Sequence, residues 1–119
     1  MVSNPHRLNH EDLDVYQASI RFFAAATRLI ASWPRGHGAL ADQFRRAATS
    51  IPLNIAEGAG RNTIREGQRF YGFARGSAHE CGAILDAARL LGIVEEEPYL
   101  KGKATLVRIV SMLVRLSGL

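Results

Sequence analysis

A chain of 119 residues has room for one ordinary domain and is too short for two. Hydrophobic residues make up 47%, which excludes a disordered chain, and no apolar run reaches the roughly 18 unbroken residues of a membrane span. The formal net charge is +4, from 15 Lys plus Arg against 11 Asp plus Glu, and all the cations except Lys101 and Lys103 are Arg. Arginine forks onto phosphate or carboxylate and stacks on bases, so a pI near 9.8 allows a polyanion partner. The single Cys81 excludes an internal disulfide and fits a reducing compartment. Residues 1–10 are polar and lack a signal-peptide apolar stretch. The expected location is cytoplasmic.

Three groups of breakers divide the chain: Pro34, Gly36 and Gly38, then Gly58, Gly60 and Asn62, then Gly92 to Pro98. Between them lie four segments of helical period, roughly 11–33, 39–59, 63–92 and 96–117, with almost no strand-like alternation. Short connections between long helices predict an all-α, antiparallel up-down four-helix bundle, a single domain over residues 1–119.

The first helix carries two apolar stripes. At about 100° per residue, Leu13, Tyr16, Ile20, Phe23, Thr27 and Ile30 share one face, and Val15, Phe22, Leu29 and Trp33 form a second, nearly opposite. Asp14, Arg21 and Arg28 occupy the strip between them. A bundle helix needs one apolar face, so two stripes predict burial on both sides, with Val15, Phe22, Leu29 and Trp33 facing a second copy of the chain. In the second helix, Pro52 removes a backbone bond and predicts a kink near Ala48. In the third, Asn62 or Thr63 is the expected cap, with Glu66 in capping-box spacing from Thr63. The fourth places Pro98 in its first turn. Leu100, Val107, Val110 and Val114 line one side of it, and Leu106, Ile109, Leu113 and Leu116 continue around the back. Leu106, Ile109 and Leu113 join the expected oligomer interface. Lys101, Arg108 and Arg115 recur every seven residues in the remaining strip.

The middle of the chain pairs two polar stripes. Gln43, Arg46, Ser50, Asn54, Glu57 and Arg61 share one face of the second helix, and Glu66, Arg69, Gly76, Ser77 and Glu80 share one of the third. Brought together, Arg46, Ser50, Asn54, Glu57, Arg69, Ser77 and Glu80 form a polar network that fixes helix register, with Glu57, Glu66 and Glu80 as partners for the two arginines. The competing reading is a binding groove. Gly58, Gly76, Ala47, Ala48 and Ala74 are expected to let the helices approach closely.

The run Arg46-Ala47-Ala48, Ser50-Ile51-Pro52, Asn54-Ile55-Ala56-Glu57-Gly58 resembles the bacterial four-helix-bundle family named for intervening-sequence proteins, some of them encoded within insertions in large-subunit ribosomal RNA genes. Phe70, Tyr71, Ala74, Arg75, Gly76, Ser77 and Glu80 supply a second match, and Leu13-Asp14-Val15-Tyr16-Gln17-Ala18 a weaker third. Leu53 departs from the pattern, where a small or polar residue is usual, and Cys81 and Gly82 interrupt the third helix. The resemblance implies a homopentameric ring of bundles. It also implies similarity in fold to accessory proteins of diversity-generating retroelements, which engage a reverse transcriptase and nucleic acid.

Nothing in the sequence assembles a catalytic constellation, and no cofactor is expected. His79 and Cys81 stand about 200° apart on a helix. His6 and His10 have ligand spacing but lie in a frayed terminus, so no metal is expected. Gly58-Ala59-Gly60 lacks the Lys-Ser/Thr of a phosphate loop. The acids Glu95-Glu96-Glu97 suit a helix N-terminus. The expected function is therefore a non-catalytic oligomeric module that binds RNA or DNA, or serves as adaptor to a reverse transcriptase or another neighbouring gene product. Arg21, Arg28, Lys101, Arg108 and Arg115 would supply the phosphate contacts. Aromatic rings for base stacking are expected to be scarce, because Tyr16, Phe23 and Phe44 read as core. The alternative is a protein-interaction scaffold with no affinity for nucleic acid.

Overall fold

The computed structural model describes residues 7–118. His6 and the start of the polar N-terminal stretch lie outside the described residues. A 3-10 turn at Asn9–Asp12 leads into four helices: α1 (Asp14–Ser32), α2 (Gly38–Ala59), α3 (Ile64–Leu90) and α4 (Glu96–Leu116), with no strand among the described residues. α1 starts at Asp14 rather than near residue 11 because Leu13 is extended (φ −77°, ψ 128°) and separates it from the turn. The Gln17 side-chain amide donates to the Glu11 carbonyl (2.8 Å) and ties the two pieces together.

α1 packs on α2 and α4, α2 on α3, and α3 on α4, so each helix touches its two neighbours around one core. Thr63 caps α3, its hydroxyl accepting from the Glu66 N–H at 3.2 Å, and Pro98 sits in the first turn of α4. α3 closes with Gly92 at φ +74°. There the Ile93 N–H reaches back to the Ala88 carbonyl (3.1 Å), a Schellman-type stop that turns the chain into α4. α2 continues through Pro52, whose ring is buried. The Ala48 carbonyl thereby forgoes the donor that any other residue at 52 would supply. Cys81 and Gly82 do not interrupt α3, which runs unbroken past both, with Cys81 fully buried in the core.

Phe44 anchors the core without any exposed surface. The Trp33 ring stacks on it (5.7 Å, 5° between planes) and Phe22 meets it edge-on (6.2 Å, 77°). Ile51, Ile55, Leu85, Ile109 and Leu113 fill the rest. Full burial of one such side chain stabilises the fold by about 1.5–3 kcal/mol. Among the described residues Ser19 is the buried polar exception, and its hydroxyl donates to the Tyr16 carbonyl at 2.7 Å.

This packing overturns the interface assignment made for α1 and α4, and the other stripe of α1, with Leu13, Tyr16, Phe23 and Ile30, also packs half-buried on the core. Val15, Phe22, Trp33, Leu106, Ile109 and Leu113 are buried in the chain's own core, and Leu29 is half-buried against it. None of the seven presents an outer apolar surface. The cause is the company they keep: Ala18, Ser19 and Ala26 lie on the same side of α1 and let it sink into the bundle. Gly102 does the same on α4, where an added Cβ would stand 3.0 Å from Leu85 and 4.0 Å from Phe22. On these two helices, the large apolar side chains left facing water are Ile20 on α1 and Leu100 and Val107 on α4, at 39%, 55% and 64% exposure.

The tightest helix contact is between α2 and α3. Gly58 and Gly67 meet backbone to backbone, so a Cβ on Gly58 would fall 2.9 Å from the Gly67 carbonyl oxygen and 2.6 Å from the Tyr71 ring. Gly67 is the partner that sequence reading overlooked. Gly76, expected in this role, is exposed and has nothing within 4 Å of its missing Cβ.

Candidate nucleic-acid interface

The five cations expected to meet phosphate all lie at the surface: Arg21, Arg28, Lys101, Arg108 and Arg115. Helical geometry explains why they align. Residues seven apart return to nearly the same face after two turns, so Arg21 and Arg28 share one side of α1, and Lys101, Arg108 and Arg115 one side of α4. Arg28 and Lys101 line a cleft of about 290 Å³ between these helices, with Ala25, Leu29, Pro98 and Gly102. At the far end, Arg115 lines a second cleft with Asp14, Leu13 and Met112. The start of α1 therefore meets the end of α4. The two basic strips run antiparallel beside one seam, with Arg21 and Arg108 between its ends. Among the described residues the ion pairs are Arg7–Asp12, Arg45–Asp42, Arg61–Glu57 and Lys103–Asp86, so none of the five seam cations is neutralised by a bonded carboxylate.

The polar network between α2 and α3 forms, but its charged part differs from expectation. Its centre is neutral: the Ser50 and Ser77 hydroxyls lie 2.7 Å apart, and Asn54 Nδ2 donates to both the Ser50 carbonyl and the Ser50 hydroxyl at 2.9 Å. The Gln43 amide donates to Glu80 (3.2 Å), and Arg61, not Arg46, pairs with Glu57. Arg46 is exposed and makes no ion pair among the described residues. Arg69 holds its guanidinium over the Phe73 ring at 5.5 Å instead of a carboxylate. An exposed ion pair contributes under about 1 kcal/mol, so the fold gives up little by leaving Arg46 in water.

Between α3 and α4 lies a cleft of about 420 Å³ lined by Ala78, His79, Gly82, Asp86, Lys103 and Val107, among others. Two of its titratable groups, Asp86 and Lys103, are engaged with each other. Asp86 Oδ1 accepts from Lys103 Nζ and from the Tyr99 hydroxyl, each at 2.7 Å. Those two bonds hold the Asp86 carboxyl below its ordinary range, the Lys103 bond contributing most. Through its bond to Asp86 each partner is raised, Lys103 as an ammonium and Tyr99 as a phenol. Burial, then the Glu80 carboxylate, pushes the Cys81 thiol up to about 12, which leaves it a neutral core group. Among the described residues no cluster of three or more His, Cys, Asp and Glu is placed to hold a metal, and His10 packs edge-on against Tyr16 at 4.5 Å.

Sequence reading missed an aromatic cluster at the α2–α3 turn. Phe70 and Phe73 meet at right angles (5.7 Å), Arg61 lies 4.4 Å over Phe70, and Phe73 is 48% exposed. The three-residue step from Phe70 to Phe73 and the four-residue step from Arg69 to Phe73 were visible as helical neighbours. Arg61 reaches Phe70 only across the turn, and no spacing rule reveals that.

No helix among the described residues is long and apolar enough to cross a membrane. A search of curated proteins finds no match. Among solved structures, the chain is similar to a protein of unknown function from the S23 ribosomal protein family of Bacteroides thetaiotaomicron VPI-5482. The two share 19% identity and a TM-score of 0.82 over 88% of this chain and 99% of that one, a likeness of fold. The model of the 23S rRNA-intervening sequence proteins matches residues 11–115, nearly the whole bundle. The chain belongs to that family.

Proposed function

We propose that the chain is a non-catalytic binding module that holds nucleic acid along the α1–α4 seam and works as a homo-oligomer, a pentameric ring, in the cytoplasm. The observation that carries this reading is the row of five exposed cations in two antiparallel strips, none bonded to a carboxylate. From Lys101 to Arg115 the row spans about 21 Å at 1.5 Å per residue. Such a row recognises the regular charge of a phosphate backbone and reads no sequence. The family is named for 23S rRNA intervening sequences, which makes RNA the first polyanion to test. A binding role also suits the engagement of Asp86 with Tyr99 and Lys103, which ties up those groups.

The test is RNA binding across a salt series. Replacing Arg108 and Arg115 with Gln should weaken binding and lower the slope of log affinity against log salt by about 1.4–1.8, the contribution of two lost phosphate contacts. An unchanged slope refutes the seam as the phosphate site. A second reading is a protein-interaction scaffold without nucleic-acid affinity. It is favoured by the exposed Leu100 and Val107 on α4, and it takes over if wild type binds no RNA even at low salt.

A further inference from the structure

The α1–α4 seam accounts for phosphate and leaves the α2–α3 turn unexplained. Two guanidinium groups and two phenyl rings form a continuous array there. Arg61 lies 4.4 Å over Phe70, Phe70 meets Phe73 edge-on at 5.7 Å, and Arg69 lies 5.5 Å over Phe73. Glu57 bonds Arg61, and Thr63 caps the helix that carries the rings. Just behind the turn, the contact between Gly58 and Gly67 fixes α2 against α3. The array is thus held in place before anything binds. Phe73 nevertheless leaves 48% of its surface in water, so one aromatic face of the array is open to a ligand.

We propose that this array is a second site, which takes single-stranded nucleic acid by stacking an unpaired base on Phe73, with Arg61, Arg65 and Arg69 clamping the adjoining phosphates. The chemistry of the array selects this ligand over others. Free phosphate would use the arginines but not the ring. A duplex keeps its bases stacked inside and offers its backbone and groove edges but no free base face. A single strand offers both a π-face and a charge at each nucleotide, and a guanidinium already lying on a ring can stack a base on its open side. Arg65 is exposed one helical turn before Arg69, on the same side of α3. The carboxylates nearby are Glu57, already bonded to Arg61, and Glu66 in the first turn of α3. Against three arginines they leave the turn net positive. The inference goes beyond the seam by assigning base contact to a different pair of helices, and shares with it only an affinity for polyanions.

Fluorescence anisotropy separates the two. The probes are a labelled oligouridine of about 12 nucleotides, an oligothymidine of equal length, and an abasic phosphodiester of equal length. The proteins are wild type, Phe73→Leu, Phe73→Tyr and the double variant Arg108→Gln with Arg115→Gln. Wild type should bind the oligouridine more tightly than the abasic strand. Phe73→Leu should lose about 5- to 150-fold on the base-bearing strands, the range that one base–aromatic stack is worth. It should bind the abasic strand unchanged. Phe73→Tyr restores the π-face and should bind as wild type. Oligothymidine bound as tightly as oligouridine supports the site for DNA as well as RNA, and weaker binding supports it for RNA. Loss of abasic binding in the double variant alone, with the base-dependent difference kept, supports the site and the seam together. The proposal is overturned if wild type binds the abasic strand as tightly as the oligouridine, even while the seam stands. It is overturned if Phe73→Leu binds as wild type. A change in sedimentation on Phe73→Leu assigns the ring to a contact between copies and overturns it. Capture of an acidic, aromatic peptide in place of any oligonucleotide assigns the array to protein docking and overturns it as well.

Discussion

Gly58→Ala is the sharpest test of the packing. Without neighbours, adding a methyl to a helical glycine stabilises by about 0.5–1 kcal/mol, because alanine loses less backbone freedom on folding. At Gly58 the methyl has no space. Its Cβ would stand 2.6 Å from Tyr71 Cε1 and 2.9 Å from the Gly67 carbonyl oxygen. The tyrosine ring can swing away, but the carbonyl belongs to the α3 backbone and moves only if the helices part. Overpacking of this kind costs about 1–3 kcal/mol. The net effect should be destabilisation by up to about 2.5 kcal/mol. Gly76→Ala, with nothing within 4 Å of the new methyl, should show the uncompensated gain. Urea unfolding followed by circular dichroism, at one fixed protomer concentration because assembly adds stability, should therefore place the two variants on opposite sides of wild type. A Gly58→Ala midpoint at or above wild type would refute the close contact of α2 with α3.

Phe22→Glu should lose the helical fold altogether, since it places a carboxylate in the core. Val107→Glu should keep full helicity and, if α4 faces a second copy, release smaller species in sedimentation. Arg46→Gln should shift stability by no more than about 0.5 kcal/mol, as expected of an exposed residue without a bonded partner, whereas Ser77→Ala should cost about 1 kcal/mol by taking a partner from Ser50. Asp86 titrates below its unfolded value, so its bonds stabilise the fold above the unfolded aspartate pKa of about 3.9 and are lost as pH falls through the lower folded value. The melting-temperature gap between wild type and Asp86→Asn should accordingly hold at neutral pH and narrow in acid. A gap independent of pH would mean that the carboxylate charge is not what the variant removes.

The four helices were legible because glycine and proline mark every connection and because Thr63 and Pro98 occupy helix starts. The basic strips were legible because a step of seven residues survives any choice of neighbour. The inward face of α1 was not, since both of its stripes satisfy helical period equally well. Both stripes pack inward, Val15, Phe22 and Trp33 buried and Leu13, Tyr16, Phe23 and Ile30 half-buried against the core, because Ala18, Ser19 and Ala26 on α1 and Gly102 on α4 let the helix settle deeply, and small residues give no hydrophobic signal of their own. The arginines of the central motif were misread for a related reason. Matching charges by stripe ignores how a water-facing guanidinium chooses between hydration, a carboxylate and a ring. Arg46 took the first, Arg61 the second together with Phe70, and Arg69 the third.

Trp33 gives the molecule an optical property of its own. It is the chain's one tryptophan, and its indole is stacked on Phe44 in the core where α1 ends. Emission excited at the indole therefore comes from a single place, and its wavelength reports whether water has reached that corner. The native band should be blue-shifted and poorly quenched by acrylamide. It should move to the red only when the α1–α2 junction separates from Phe44. Recorded beside the helical dichroism signal, it clocks the closing of that junction against the formation of the helices, without any dye attached.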